Sequence, residues 1–389
     1  MIYQPLEDSF LLEEQVKQFA RGSVLDMGTG TGIQAAAAAK KRDVREVIAL
    51  DIQKDAVEFC LRNVKDRKIM FFASDLFDFL RTSKKYRNKK FDTIIFNPPY
   101  LPSEPRLKDL TVDGGKRGFE IVGRFLKDAG GYLKDDGILL LLISSLTNKP
   151  RIEKMLTELL FEFRITAKKH IFFEDLFVYL IQKNRITQKL AKKGVKNLEY
   201  FTKGHRGILF TGKYKGRKIT IKAKLPESKA VGRIANEARW LKLLNRHGIG
   251  PKIVMSNKDF FAYIFAEGDF ISDFIENSTK KQVKNALKEI FRQCHQIDVL
   301  GIDKEEMHRP FKHILIKNSK VVMIDFERAH RSKKPKNVTQ FCQFIGSGYI
   351  EMLLERKRID INRKTLIRLA KEYKKSKDIQ PILKMIQAQ

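Results

Sequence analysis

The stretch Asn97-Pro98-Pro99-Tyr100 carries the most chemical information in this chain. Neither proline has a backbone N–H, so the Asn97 side-chain carbonyl and the Pro98 backbone carbonyl remain as acceptors for an incoming amide or amine. A planar nitrogen held through both of its hydrogens would have its remaining face aimed at a reactive group. Tyr100 would wall such a pocket, although a buried aromatic with a satisfied hydroxyl explains it equally well. The residue types indicate group transfer to nitrogen, whereas Asn-Pro-Pro alone is also ordinary turn chemistry.

A glycine-rich segment precedes this stretch in the chain. After an apolar strand predicted at Val24–Leu25 come Asp26 and three glycines at a spacing of two, Gly28, Gly30 and Gly32. Glycines at this spacing allow a tight turn and close approach of the backbone to a ligand. The pattern G-x-G-x-G differs from the dinucleotide-binding pattern G-x-G-x-x-G. We therefore expect a ligand other than a dinucleotide.

Polar side chains also stand at the ends of successive predicted strands. In a doubly wound sheet the carboxyl ends of the parallel strands meet in one crevice, where ligands bind. The strands are predicted at Val24–Leu25, Glu46–Leu50, Ile69–Phe72 and Phe91–Phe96, and the side chains that follow them are Asp26, Asp51, Asp75 and Asn97. The sequence thus predicts one ligand crevice at this edge of an α/β sheet.

With these residues and three further segments, residues 1–184 resemble the class I S-adenosylmethionine-dependent methyltransferases of the HemK type, and most of all their archaeal and eukaryal short branch. The further segments are Tyr3–Leu12, Asp113–Gly118 and Ser144–Thr147. These enzymes methylate a glutamine side-chain amide. The resemblance implies a Rossmann-like, doubly wound domain.

The same resemblance implies a role for each candidate residue. Glu7, Asp8 and the segment from Asp26 through Gly28, Gly30 and Gly32 would surround the methionine part of the cofactor. Asp51 would take the ribose hydroxyls and Asp75 would contact the adenine. Asn97, Pro98 and Tyr100 would hold the acceptor. The usual acceptor is the glutamine of a Gly-Gly-Gln loop in a translation release factor, and a small zinc-containing activator subunit is a common partner.

Length and charge describe the rest of the chain. Its 389 residues favour two domains. Residues 185–389 contain 46 Lys and Arg against 20 Asp and Glu, whereas residues 1–184 contain 31 against 26. A domain this basic predicts contact with a polyanion such as RNA or the ribosome, although a lysine-rich thermophile surface would explain the same charge. The polar segment 185–198 is predicted as a linker between domains 1–184 and 199–389.

The second half contains a strand lysine, a helix glutamate and a strand-end aspartate in that order. They are Lys222 after a glycine-punctuated hairpin, Glu237 in an amphipathic helix, and Asp325 after an apolar strand. In protein kinases these types serve as phosphate anchor, ion-pair partner and magnesium ligand. Residues 199–355 resemble the compact atypical kinases of the RIO and archaeal lipopolysaccharide-kinase-like group. That resemblance implies a compact α+β domain that binds ATP and magnesium through these residues.

The catalytic loop departs from the kinase pattern. A His-x-Asp motif five residues before an Asn should precede Asp325, but the matching positions hold His308 and His313. Glu306 would replace the aspartate as base. His313 would supply a nitrogen to the metal or cap the following strand. Nucleotide binding is therefore better supported by this sequence than phosphoryl transfer to a protein.

Other features narrow the class of protein. Cys60, Cys294 and Cys342 are isolated, without a C-x-x-C pair or zinc spacing, which favours a reducing compartment. The start of the sequence lacks the charged-then-apolar pattern of a leader, and its longest aliphatic run has the length of a strand. We expect a soluble cytoplasmic protein.

Three functions fit the sequence. The first is a glutamine methyltransferase fused to a kinase or ATPase module near the translation apparatus. The second is a methyltransferase of an RNA or DNA base amino group, with a degenerate kinase module that docks on RNA or the ribosome. The third is a binding protein, in which the second half only docks on the ribosome or RNA and delivers the first half to it. Residues 1–184 leave no room for the target-recognition insert usual in amino-group enzymes, and this favours the first function.

Overall fold

The structure is a computed structural model and describes residues 2–102, 113–203, 207–224 and 233–389. The chain divides into two compact units, Met1–Lys193 and Gly194–Gln389. Each unit has its own main sheet and its own hydrophobic core. Among the described residues, no helix combines the length and apolar character needed to cross a membrane.

The first unit is a seven-stranded sheet with helices on both faces. Its strand order is β3-β2-β1-β4-β5-β7-β6, and β7 runs antiparallel to both of its neighbours while the other pairs are parallel. The elements are α1 (Glu7–Phe19), β1 (Gly22–Met27), α2 (Ile33–Ala39), β2 (Val44–Asp51), α3 (Lys54–Asn63), β3 (Ile69–Ala73), α4 (Asp78–Thr82), β4 (Phe91–Phe96), α5 (Glu120–Tyr132), β5 (Leu133–Ser144), α6 (Lys149–Glu158), β6 (Phe161–Ile171), β7 (Glu174–Lys183) and α7 (Arg185–Lys192).

The central strands are apolar along their whole length because both of their faces are buried. Val24 and Ile95 belong to a core shared with α1, α2 and α3. Their chain neighbours Leu25 and Ile94 point to the other face and belong to a core shared with α5 and α6. Burial on both faces gives the near-continuous apolar runs typical of parallel strands. The predicted doubly wound sheet is confirmed.

The register brings the ends of the central strands together. Met27 at the end of β1 lies beside Leu50 of β2 and Phe96 of β4. On the outer side of β2, Asp51 pairs with Ala73 of β3. The residues that follow these strands therefore meet at one edge of the sheet, as predicted for Asp51 and Asn97.

The late strands of this unit differ from the prediction at their junction. The sequence predicts a strand at 163–173, but β6 ends at Ile171 and the chain turns at Phe172 and Phe173 before β7 begins. Aromatic residues have a high strand propensity, which explains why sequence reasoning assigned them to the strand. The antiparallel pairing of Ile171 with Glu174 decides otherwise.

The segment 185–198, predicted as a linker, has regular secondary structure. It contains helix α7 and the start of strand β8 (Lys196–Lys203). The Asn184 side chain caps α7 by accepting hydrogen bonds from the backbone N–H groups of Ile186 and Thr187, and Leu190 is buried. A capped helix with one buried face is ordered despite its polar composition. The division between the units, at Lys193 and Gly194, lies inside this segment.

The second unit begins with a five-stranded antiparallel sheet in the order β11-β12-β10-β9-β8 and continues as a mainly helical region. After β8 its elements are β9 (Gly207–Tyr214), β10 (Arg217–Lys224), α8 (Arg233–Asn245), β11 (Ile253–Ser256), β12 (Phe260–Ile264), β13 (Asp269–Phe270), α9 (Ile271–Asn277), α10 (Lys280–Val299), β14 (Ile302–Asp303), β15 (Ile314–Lys317), β16 (Lys320–Met323), β17 (His330–Arg331), α11 (Asn337–Ile345), α12 (Gly348–Arg356), α13 (Arg363–Ser376) and α14 (Gln380–Ala388).

The sequence predicts two final helices, at 338–357 and at 362–387, and each is divided in the structure. The segment 338–357 becomes α11 and α12 because Gly346 and Ser347 interrupt it. The segment 362–387 becomes α13 and α14, since Lys377 takes a left-handed conformation and Pro381 starts the next helix. The strand at 218–222 and the helix at 236–244 lie within β10 and α8. Residues 204–206 of the glycine-punctuated hairpin lie outside the described residues.

Candidate active site

A cavity opens at the carboxyl edge of the first unit's sheet. The predicted residues that line it are Asp8, Gly28, Gly30, Asp51, Asp75, Asn97, Pro98 and Tyr100. Three other predicted residues are placed elsewhere: Glu7 is exposed in the first turn of α1, Asp26 is buried at the end of β1, and Gly32 precedes α2. The structure thus gathers most of the predicted set around one space.

The glycine loop after β1 needs glycine for two different reasons. Gly28, Gly30 and Gly32 have φ of +65°, +55° and +83°, which side chains with a Cβ rarely adopt. Gly28 and Gly30 line the cavity, so the bare backbone there can touch a ligand. A Cβ on Gly32 would lie 3.0 Å from Val64 Cγ2 and 3.2 Å from Cys60 Sγ. The third glycine therefore permits close packing of α3.

The buried Asp26 holds the glycine loop in place through a hydrogen bond. Its side chain is 1% exposed and accepts a hydrogen bond of 2.7 Å from the Thr29 hydroxyl. Burial raises the pKa of Asp26 to about 7, although the Thr29 hydrogen bond works in the opposite direction. This carboxyl group positions the loop, and among the described residues it does not appear in the cavity wall.

Asp51 links the ends of β1 and β2. Its carboxylate accepts hydrogen bonds from the backbone N–H of Gly30 at 2.8 Å and of Gln53 at 2.9 Å. Burial raises the pKa of Asp51, while these hydrogen bonds act against the rise. Each oxygen keeps a second acceptor position. The group therefore fits a pair of ribose hydroxyls.

Asp75 lies in the cavity wall together with an arginine that sequence reasoning missed. Arg124 Nη2 of α5 lies 2.7 Å from Asp75 Oδ2, and both residues line the cavity. An arginine on the polar side of an amphipathic helix carries no signal in the sequence. Only the packing of α5 beside the end of β3 brings it to the site.

Asn97 is oriented by Asp8 from the first turn of α1. Asn97 Nδ2 donates a hydrogen bond of 2.9 Å to Asp8 Oδ2, and the backbone N–H of Ser9 donates to Asp8 Oδ1 at 2.6 Å. The other Asn97 side-chain atom, Oδ1, is buried and has no hydrogen-bond partner among the residues that the structure describes. A buried carbonyl without a partner is costly, so this atom is ready to accept a hydrogen bond from a ligand. Sequence reasoning assigned Asp8 only to the cofactor and missed this contact.

Two tyrosines border the same part of the cavity. Burial and the neighbouring Asp8 raise the pKa of Tyr3, and burial followed by the charges of Asp8 and Glu174 raises that of Tyr100. Both hydroxyls therefore stay protonated at neutral pH and act as donors. Tyr3 was named only as part of an amino-terminal motif, so its place beside Asp8 is new information from the structure.

In the second unit the predicted lysine, glutamate and aspartate meet. Lys222 Nζ lies 2.6 Å from Glu237 Oε2 and 3.4 Å from Asp325 Oδ1. Glu327, which the sequence analysis did not select, lies 3.8 Å from the same nitrogen. Burial alone would lower the pKa of Lys222, but these three carboxylates outweigh it and raise the pKa. Glu237, Asp325 and Glu327 also place one oxygen each within 4.8 Å of one another.

The residues of the altered catalytic loop lie next to this cluster. His313 Nε2 is 3.8 Å from Asp325 Oδ2, and His313 Nδ1 is 3.8 Å from Glu306 Oε2. Glu306 also forms an ion pair of 2.8 Å with Arg328. Burial lowers the pKa of His313, so a neutral ring is favoured. Burial likewise lowers the pKa of Lys304 to about 8, and its Nζ donates to the Asp325 carbonyl at 2.9 Å.

Comparison with known proteins concerns the first unit. The family model for the methyltransferase small domain matches residues 7–173. A putative protein N5-glutamine methyltransferase of Methanocaldococcus jannaschii is 38% identical over 184 residues, which cover 46% of this chain and 89% of that protein. The release factor glutamine methyltransferase of Streptococcus pneumoniae is 34% identical over 125 residues, covering 30% of this chain and 43% of that protein.

The chain is also similar to a ribosomal-protein methyltransferase and to a solved methyltransferase complex. The ribosomal protein uL3 glutamine methyltransferase of Bordetella pertussis is 34% identical over 149 residues, covering 34% of this chain and 48% of that protein. The chain thus spans less than half the length of these two bacterial relatives. Among solved structures, the Mtq2–Trm112 complex of E. cuniculi, responsible for methylating the eRF1 termination factor, matches with a TM-score of 0.38 and 24% identity. That match covers 47% of this chain and 99% of the other.

Proposed function

We propose, from the premise that this chain belongs through its first unit to the protein-glutamine methyltransferase family, that it methylates the side-chain amide of a glutamine in a translation release factor. The observation that carries the proposal is Asn97, a residue of the cavity wall whose buried Oδ1 has no hydrogen-bond partner among the described residues. A primary amide offers two N–H donors, one for this oxygen and one for the Pro98 carbonyl.

The residues of the cavity fit the methyl donor S-adenosylmethionine. Gly28 and Gly30 present bare backbone, and Asp51 offers acceptors for two hydroxyls. When bound, the donor supplies a sulfonium methyl group whose S–C bond breaks as the new N–C bond forms, and the amide nitrogen releases one proton. Asp75 and Arg124 would border the adenine.

The protein contributes mainly alignment to this reaction. An amide nitrogen is a weak nucleophile because its lone pair is delocalised, so the approach of the two atoms must be correct. Holding them about 3 to 3.5 Å apart can lower the barrier by roughly 7 to 11 kcal/mol. Asn97 Oδ1 and the Pro98 carbonyl would also stabilise the positive charge that develops on the nitrogen. Asp8 keeps the Asn97 amide in the orientation that this role requires.

The test is labelled methyl transfer by the full chain to two substrates, a folded release factor and an RNA. We expect methylation of the glutamine in the Gly-Gly-Gln loop, and a loss of at least about 100-fold with Asn97→Ala. Asn148→Ala, which changes a helix cap distant in sequence from the cavity residues, is the matched control. Methylation of RNA alone would overturn the assignment in favour of the base amino-group reaction.

A partner subunit is part of the proposal. Strand β3 ends the sheet, so its outer backbone N–H and C=O groups have no neighbouring strand among the described residues. Such an edge is a template for another chain. A small zinc-containing activator subunit would cover it. Methylation rates measured with and without such a subunit would decide the point: an unchanged rate and unchanged solubility would exclude the requirement.

We further propose that the second unit binds a nucleotide. The contacts of Lys222 with Glu237 and Asp325 support this proposal. Lys222 would contact the phosphates. Asp325, with His313 at 3.8 Å, would hold magnesium, and Glu306 would act as base for a kinase or ATPase reaction. The residues fit this group because three carboxylate oxygens already lie within reach of one cation.

ATP binding to the full chain tests this second proposal. We expect magnesium-dependent binding in a titration, lost with Lys222→Met and with Asp325→Asn. Lys224→Met, two residues along the same strand, is the control. Turnover of ATP that survives Asp325→Asn but not Glu306→Gln would contradict the metal-ligand role. If all variants bound ATP equally well, Lys222 and Asp325 would not form a nucleotide site, and the proposal would be wrong.

A further inference from the structure

Two adjacent phenylalanines are exposed to solvent at the turn between β6 and β7. Phe172 is 91% exposed and Phe173 is 95% exposed, the two highest values among the exposed large apolar residues of the described chain. Single exposed apolar residues are ordinary, but contiguous apolar surface marks interaction sites. This turn therefore requires an explanation outside the packing of the first unit.

The backbone of the turn does not favour these residues either. Ile171 pairs with Glu174, so the connection has two residues. Two-residue hairpin turns favour Gly, Asn or Asp, because one or both central residues need a positive φ. Phe172 has φ of +35°, a conformation that is unusual for a bulky side chain. Glycine would adopt this φ with less strain than phenylalanine. Backbone strain that is retained at one position suggests that the side chain there has a function.

The turn lies at the same edge of the sheet as the cavity, because β5 runs parallel to β4 and antiparallel to β7. Glu174, the first residue after the turn, accepts a hydrogen bond from the Ser144 hydroxyl at the end of β5. The Glu174 charge contributes to the raised pKa of both Tyr3 and Tyr100, which line the cavity. The start of β7 and the end of β4, which leads to Asn97, thus lie at the same edge of the sheet.

Other exposed apolar side chains lie on segments that begin or end near the same edge of the sheet. Leu6 and Phe10 are 54% and 51% exposed and lie one helical turn apart on the exposed face at the start of α1, the helix whose buried Asp8 contacts Asn97. Leu146 is 46% exposed and follows β5 directly after Ser144 and Ser145. We call this set the apolar rim, and its members are Leu6, Phe10, Leu146, Phe172 and Phe173.

We propose that the apolar rim is the docking surface for the folded protein that carries the acceptor glutamine, with Phe172 and Phe173 as its anchors. This inference rests on the proposed function, since it concerns the substrate of the same site. A single glutamine in the cavity offers few contacts, whereas large aromatic side chains commonly supply most of the binding energy of an interface. The rim lies at the same edge of the sheet as the cavity, so a protein bound there would present a projecting loop to Asn97.

The experiment compares a folded release factor with a short Gly-Gly-Gln peptide as substrates of the full chain. In Phe172→Ser/Phe173→Ser we expect KM for the folded protein to rise by at least about tenfold with kcat unchanged. For the peptide, kcat/KM should stay within about twofold, because the peptide reaches only the cavity. Leu61→Ser, at an exposed apolar residue of α3 (54% exposed), is the control and should behave as the parent chain.

A binding measurement separates this inference from the proposed function. Affinity of the folded release factor for the full chain, measured with S-adenosylhomocysteine present, should fall in the double variant even if no methylation is detected. Equal losses for protein and peptide, or an unchanged KM for the protein, would overturn the docking role. Loss of binding to single-stranded RNA with intact protein binding would reassign the two aromatics to base stacking.

A stability measurement provides an independent check. Phe172→Gly should leave the melting temperature unchanged or raise it, since glycine adopts the positive φ without strain. The same variant should weaken binding of the folded substrate protein. A clear drop in melting temperature would show that Phe172 supports the fold, and the docking role would be lost with that result.

Discussion

At the residue scale, the contact between Asp8 and Asn97 joins positions 89 residues apart and decides how the acceptor is held. An asparagine amide can be turned either way, and only the acceptor Asp8 Oδ2 makes one orientation preferable. That preference leaves Oδ1 free of a hydrogen-bond partner within the described part of the chain. Sequence reasoning found both residues but assigned Asp8 to the cofactor alone. The type of each residue was readable from the chain, whereas their partnership was not.

Asp8→Asn tests this positioning role. The new amide can donate as well as accept, so it no longer enforces the orientation of Asn97. We expect kcat to fall by at least about tenfold, which corresponds to about 1.4 kcal/mol. Affinity for S-adenosylhomocysteine should change little. The exposed Glu14→Gln on the same helix is the control, and a loss confined to cofactor affinity would return Asp8 to a purely cofactor-binding role.

Asp26 predicts a pH dependence of stability. Its folded pKa of about 7 is higher than the value near 4 of an unfolded chain, so the folded state binds the proton more tightly. Between about pH 4 and pH 7 this group therefore makes the free energy of unfolding fall as pH rises. Asp26→Asn should remove that contribution. Urea titrations of both chains at several pH values measure it, and parallel curves would exclude the effect.

At the element scale, the loops after β4 depend on close backbone packing. Gly118 has φ of +76°, and a Cβ there would lie 2.6 Å from the Tyr100 carbonyl oxygen. Gly114 N also donates to the Leu101 carbonyl at 2.8 Å. Through these contacts the segment 113–118 packs directly against the backbone of Tyr100 and Leu101. It supports the backbone from which Tyr100 projects.

Two glycine substitutions with opposite outcomes test this reading. Gly118→Ala should lower both the melting temperature and kcat, because the new methyl group meets backbone and the required φ is positive. Gly131→Ala, in helix α5 with open space around it, should raise stability by about 0.5 to 1 kcal/mol without changing kcat. If both substitutions had the same small effect, the segment would not support the acceptor residues.

Sequence patterns described the elements of the first unit well. Strands such as β4 were readable because parallel strands are apolar throughout. The turn at Phe172 and Phe173 was missed because strand propensity favours the residues that occupy it. Helix α7 was missed for the opposite reason: its lysines resemble a linker, and only the Asn184 cap and buried Leu190 reveal it.

At the scale of the whole molecule, the charge is unequally distributed along the chain. Helix α13 carries exposed basic residues at a spacing that places them on one side, Lys364, Arg368, Lys371 and Lys375. We expect the second unit to bind RNA through such surfaces, independent of sequence. Surface charge that serves only solubility would give no such binding.

The salt dependence of RNA binding tests this expectation. Affinity of the full chain for a single-stranded RNA should fall by at least about tenfold between 50 and 200 mM salt, because phosphate contacts release counterions. The variant Lys364→Gln/Lys371→Gln/Lys375→Gln should bind more weakly and show a shallower slope. The matching lysine-to-arginine variant keeps the charge and should bind as the parent does. Salt-independent binding would exclude a phosphate-dominated interface.

The sequence by itself indicated that Asp51, Asp75 and Asn97 would meet at the edge of the first sheet, because parallel strands end on the same side and their pattern is local. It also indicated the cluster of Lys222, Glu237 and Asp325 through residue types in a recognisable order. Tertiary structure alone decided the partners across long separations, such as Lys222 with Asp325 at 103 residues and Asp75 with Arg124 at 49. Such contacts depend on how whole elements pack, and no local pattern encodes that packing.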